Sequence, residues 1–89
     1  MSSMRLAFSS NGVRPLAALA EGQSGVIVEV RSDTGGRADR LLALGVTPGA
    51  SVMLLQRFPG IVFLCDQTEL AVERGVADAI LIRPTEAHA

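Results

Sequence analysis

Apolar and polar residues change phase several times along this chain, and each change marks an element. Val26-Ile27-Val28-Glu29-Val30-Arg31 is β-branched and alternating. It sets Val26, Val28 and Val30 on one face against Glu29 and Arg31 on the other, the pattern of a half-buried strand. Ser32 to Gly36 reads as a loop that offers Asp33 or Thr34 as a helix cap. Arg37 to Leu44 then carries Leu41, Leu42 and Leu44 at helical spacing. Gly45 stands where a helix stops by placing the residue after its cap in the left-handed conformation. Thr47-Pro48-Gly49-Ala50 has proline and glycine in the order a type II turn requires.

Alternation resumes at Ser51 and runs to Arg57 as a strand, with Phe58-Pro59-Gly60 as a hairpin turn and Ile61 to Cys65 as the returning strand. Asp66-Gln67 is a tight turn, after which Leu70 and Val72 alternate with Glu69 and Glu73 in a third strand of this series. Arg74 to Asp78 is a turn or a single 3₁₀ turn opened by Gly75. Ala79 to Arg83 is the last strand, ended by Pro84. Upstream, Pro15 to Leu19 suits one helical turn that stops by Gly22. The expected layout is a flexible leader over residues 1–14, one folded domain over 15–84 and a short tail over 85–89. The fold class is mostly β, a barrel of about five strands with one short inserted α-helix, because so few short strands protect their edges best by curling closed.

Composition narrows the chemistry. With 48% hydrophobic residues in 89, a small core is expected rather than disorder. The apolar run around Ile80 is bounded by charge and far short of a membrane span, and Leu6-Ala7-Phe8 is too short for a signal peptide's apolar region, so a soluble cytoplasmic protein is expected. All the basic residues are arginine. Without lysine there is no P-loop lysine, no Schiff-base lysine and no Ser-Lys pair. The single histidine, His88, sits beside the C-terminus, a poor place for a catalytic base. No catalytic residue and no cofactor is therefore assigned.

One cysteine makes neither an internal disulfide nor a CxxC zinc clamp. Cys65 with Asp66, Glu69, Glu73 and Asp78 invites comparison with a metal site. Alternation instead puts Cys65 on the face of Ile61 and Phe63, as a small core hydrophobe, and leaves the carboxylates solvated. No metal ligand is assigned. A net charge of −1 with three phenylalanines argues against nucleic acid, although Gly22-x-x-Gly25-x-Ile27 resembles the opening of RNA-binding KOW-type barrels. With no tyrosine or tryptophan the chain builds no aromatic groove for PxxP peptides.

What remains is a contact surface, either an exposed strand edge or the apolar groove between the short helix and the barrel. Three leucines in four residues exceed what one face of a two-turn helix buries. The partner-binding set is Arg40, Leu41, Leu42, Leu44 and Val46, around an apolar groove between helix and barrel. At least one of the three leucines is expected to point outward, in a contact surface that includes Leu42; the competing expectation is that Leu41 and Leu44 are simply core. Arg37, Asp39 and Arg40 form a charged helix face that is ordinarily just solvated.

Leu16-x-x-Leu19-x-x-Gly22-x-x-Gly25-x-Ile27, Arg40-Leu41-x-x-Leu44-Gly45-Val46-x-Pro48-Gly49, Leu70-Ala71-Val72 and Ala77-x-x-Ile80-x-Ile82 together resemble the FeoA family of small SH3-like barrels associated with bacterial ferrous iron transport. The resemblance spans residues 15–83 and implies a non-enzymatic cytoplasmic module. Its implied partner is the cytoplasmic part of the FeoB transporter, with the membrane met only through that partner. FeoB's GTPase domain would make an arginine of the short helix a candidate for reaching its nucleotide. Weak self-association is a further expectation. The family also resembles the C-terminal domain of DtxR-type metalloregulators, which implies the alternative of a regulatory domain acting through self-association or a DNA-binding partner.

Overall fold

The alternating segments pair into one antiparallel sheet in a computed structural model that describes residues 12–31 and 37–85. The strands are β1 (Arg14–Pro15), β2 (Ser24–Val30), β3 (Ser51–Gln56), β4 (Ile61–Cys65), β5 (Thr68–Val72) and β6 (Ile80–Pro84). A 3₁₀ turn, Leu16–Ala18, follows β1. The helix α1 (Arg37–Ala43) lies between β2 and β3, and the single-turn α2 (Arg74–Ala77) lies between β5 and β6. The six strands run in the order β1-β6-β2-β3-β4-β5, so among the described residues β1 and β5 are the two edges. Among the described residues no helix is long and apolar enough to cross a membrane.

The sheet curls around one apolar core. Phe63, Leu16, Leu19, Ile27, Leu54, Ile61, Ile80 and Ile82 are fully buried, and no polar or charged residue is buried among the described residues. Ile61, Phe63 and Cys65 share the core face, as their alternation implies. Two local features depart from the expected pattern. Strand β2 begins two residues early, at Ser24, and its core residue is Ile27 rather than the face of Val26 and Val28. The cause is a β-bulge: Ile27 pairs with Ile82 and Glu29 with Leu81, so Val28 is an extra residue. The extra residue resets the phase, and Val30 packs against the core after Ile27. A second bulge, between Leu54 and Gln56, bends β3 into its hairpin with β4.

At the other end of the chain's described part, Arg14 pairs with Ile82 as an edge strand although its position lies at the end of the expected leader. Residues 1–11 of that leader, the caps Asp33 and Thr34, and His88 lie outside the described residues. Gly25 sits inside β2 because β6 crosses it closely: a Cβ there would lie 2.5 Å from Ile82 Cγ2 and 2.7 Å from the Arg83 carbonyl oxygen.

Candidate functional site

The segment Arg40 to Ala50 builds the site from its helix ending. Gly45 has φ 94°, the left-handed conformation. Its N–H donates to the Leu42 carbonyl at 3.0 Å and the Val46 N–H donates to the Leu41 carbonyl at 2.9 Å. This reciprocal pair is the Schellman arrangement, which normally brings together the side chains that Leu41 and Val46 carry here. Both are buried, at 5% and 1% exposed. The Thr47 to Ala50 turn closes through an Ala50 N–H to Thr47 carbonyl bond of 3.0 Å. Its backbone is then tied to β2, since the Gly49 N–H donates to Ile27 O at 2.8 Å and the Ile27 N–H to Ala50 O at 2.9 Å. The helix end is thereby fixed on the barrel.

Anchoring Leu41 leaves its neighbours outside. Leu44 is 53% exposed and Leu42 58% exposed. The expectation that Leu44 is core is corrected: it follows the last helical residue and sits about 60° around the axis from Leu41, at the flank of the buried stripe. On that flank, between α1 and the end of β5, runs a groove of about 280 Å³. Its helix wall is Arg40, Leu41 and Leu44, and its other wall is Ala71, Val72, Glu73 and Val76. Three of the five residues singled out from sequence therefore line the groove. Leu42 is exposed elsewhere on the helix, and Val46 lies in the core beneath.

The second wall escaped sequence reasoning because it lies about thirty residues downstream and is brought to α1 only by the curl of the sheet. Its one local signal is Ala71, a small residue exposed between the half-buried Leu70 and Val72. Cys65 does not reach the groove. Its thiol donates to the Gly45 carbonyl at 3.5 Å, which ties β4 to the helix ending. Burial, and secondarily the Asp66 carboxylate, push the Cys65 thiol pKa up, so it is a poor thiolate. Among the described residues no three His, Cys, Asp or Glu side chains converge as a metal site. The geometry offers apolar burial, exposed backbone and a few peripheral charges.

Residues 14–84 match the model of the FeoA domain. Among solved structures, the chain is similar to an iron uptake regulatory protein, FeoA, at 27% identity and a TM-score of 0.72, over 82% of this chain and 99% of that one. It is similar to Stenotrophomonas maltophilia FeoA, solved with zinc and described as an SH3 domain protein, at 22% identity and a TM-score of 0.70, over 76% of this chain and 87% of that one. A manganese-dependent transcriptional repressor is similar at 18% identity and a TM-score of 0.75, over 82% of this chain but 42% of the repressor. No curated protein matches the sequence. The shared fold is the mostly β, SH3-like one.

Proposed function

This chain belongs to the FeoA domain family, and on that premise we propose that it is a non-enzymatic, cytoplasmic accessory module of bacterial ferrous iron transport. In this reading it docks on the cytoplasmic domains of the FeoB transporter through the groove beside α1. The observation that carries it is Leu44: a large apolar side chain, half exposed, on the rim of a groove whose floor is the anchored Leu41. An exposed leucine beside an apolar depression favours a protein partner. Arg40 stands on the same wall, where it can select for charge at the rim.

Pull-down of the cytoplasmic domains of FeoB with the purified chain tests this directly. Association is expected, with loss in Leu44→Asp while the far-UV circular dichroism spectrum is retained. No association at high micromolar concentration would remove FeoB as the partner. The likeness to the manganese-dependent repressor concerns the fold alone and supplies no reason to prefer a DNA-linked role.

A further inference from the structure

The second wall of the groove is also an edge of the sheet. Strand β5 pairs with β4 through Cys65↔Thr68, Leu64↔Glu69, Phe63↔Leu70, Val62↔Ala71 and Ile61↔Val72. The Asp66 N–H donates to Ser51 O across to β3, at 2.9 Å. Even-numbered residues of β4 thus turn their backbone groups to β3, and Cys65, Phe63 and Ile61 turn theirs to β5, by the strict alternation of antiparallel ladders. It follows that Thr68, Leu70 and Val72 bond to β4, while the N–H and C=O groups of Glu69 and Ala71 point away from the sheet. Neither residue has a backbone partner among the described residues.

The two edges differ. Strand β1 is two residues long and contains Pro15, which blunts it. Strand β5 is five residues long, carries no proline and has its outward groups beside the apolar groove at Ala71. A strand laid along it would turn alternate side chains inward, onto Leu41, Leu44 and Val76, and the others outward, on the face of the exposed Glu69, with Glu73 at the end of the groove wall. Arg40 and Glu73 stand on the two walls of the groove, so its inward positions favour neither sign and suit apolar side chains, whereas a cation at an outward position meets the exposed Glu69. A second copy of β5 is a poor occupant, because self-pairing would gather four carboxylates, Glu69 and Glu73 from each copy, on one short ladder.

We propose that the β5 edge and the groove beside it bind an extended segment of another protein, with apolar residues at alternate positions and basic residues between them, as an added antiparallel or parallel strand. This rests on the docking reading above and specifies its mode: main-chain bonds at Glu69 and Ala71 supply affinity, and the groove and the two glutamates supply register.

The test uses a fluorescently labelled seven-residue peptide alternating valine and arginine, capped at both ends, titrated with the full chain and followed by anisotropy. Saturable binding is expected, with amide chemical-shift changes concentrated at residues 69–73 and on α1. Ala71→Pro removes one outward donor without touching the β4 ladder, so it should fold as the wild type and bind about tenfold more weakly or worse. Charge reversal by Glu69→Lys with Glu73→Lys should weaken binding about tenfold and reverse its salt dependence, because added salt then screens a repulsion. The proposal is overturned if the peptide does not bind at millimolar concentration, if an alternating valine and glutamate peptide binds as well, or if Ala71→Pro binds unchanged. It is equally overturned if sedimentation shows β5-dependent dimers that exclude the peptide. FeoB pull-down with Ala71→Pro separates the two readings: retained capture upholds the partner and refutes the edge, whereas peptide binding without FeoB capture by the wild type upholds the edge and refutes the partner.

Discussion

Gly25→Ala is expected to be strongly destabilising, because strand β6 leaves no room for a Cβ at this position of β2. The new Cβ would lie 2.5 Å from Ile82 Cγ2, 2.7 Å from the Arg83 carbonyl oxygen and 3.0 Å from Pro84 Cα. Ordinary carbon contacts begin at about 3.5 Å, so strands β2 and β6 would have to separate by roughly 1 Å. Two of the three obstacles are backbone, and no rotamer change relieves them. Overpacking of this kind costs about 1–3 kcal/mol. Separation also strains the neighbouring Thr85 N–H to Ser24 carbonyl bond, now 2.9 Å, at about 1 kcal/mol. The expected loss is about 2–4 kcal/mol, against a total of roughly 4–10 kcal/mol for a domain of about 70 residues.

The measurement is urea unfolding followed by far-UV circular dichroism, because the chain has no tryptophan or tyrosine for fluorescence. A matching fall in melting temperature of about 10–20 °C is expected. Gly75→Ala is the control with the same added atoms. Gly75 lies within α2, with nothing within 4 Å of a Cβ, and alanine there should be neutral or stabilise by up to about 1 kcal/mol. If Gly25→Ala unfolds within about 0.5 kcal/mol of the wild type, the close crossing of β6 over β2 is wrong.

Leu44→Asp should change stability by less than about 1 kcal/mol, whereas Leu41→Ala should cost about 2–4 kcal/mol, measured in the same urea assay; equal costs would return Leu44 to the core. Gly45→Ala should cost about 1–2 kcal/mol, since its left-handed φ of 94° would then carry a Cβ. Cys65 should react with a maleimide far more slowly in the folded protein than in urea. Because its folded pKa is raised, its contribution to stability is complete below the unfolded thiol's pKa and is lost as pH rises through the folded one. The urea midpoint should therefore fall on the alkaline side, and Cys65→Ala should flatten that limb; an unchanged alkaline limb would show that the thiol is not differentially buried.

How much of this was legible before the structure depends on the range of the interaction. The stop at Gly45 and the turn at Thr47 to Ala50 were readable because φ > 0 is a demand that a single residue type meets. The core face of Ile61, Phe63 and Cys65 was readable because its alternation is unbroken. In β2 the same rule misplaced the core, since a bulge at Val28 is set by pairing with β6 and leaves no mark in local alternation. Leu44 was ambiguous for a related reason. Its helical position permits either core or surface, and what packs against that flank decides.

Local sequence determined the strands from β2 to β6, where the helix stops and the lysine-based chemistries the chain lacks, because backbone preference and residue chemistry act within a few positions; the edge pairing of Arg14 and Pro15 was not among them. Three features were decided only by tertiary structure: the phase shift in β2, the close crossing at Gly25, and the meeting of α1 with β5 that makes a groove from Leu44 and Ala71. Each depends on residues tens of positions apart, brought together by the curl of a six-stranded sheet around one core. No periodicity encodes such distances.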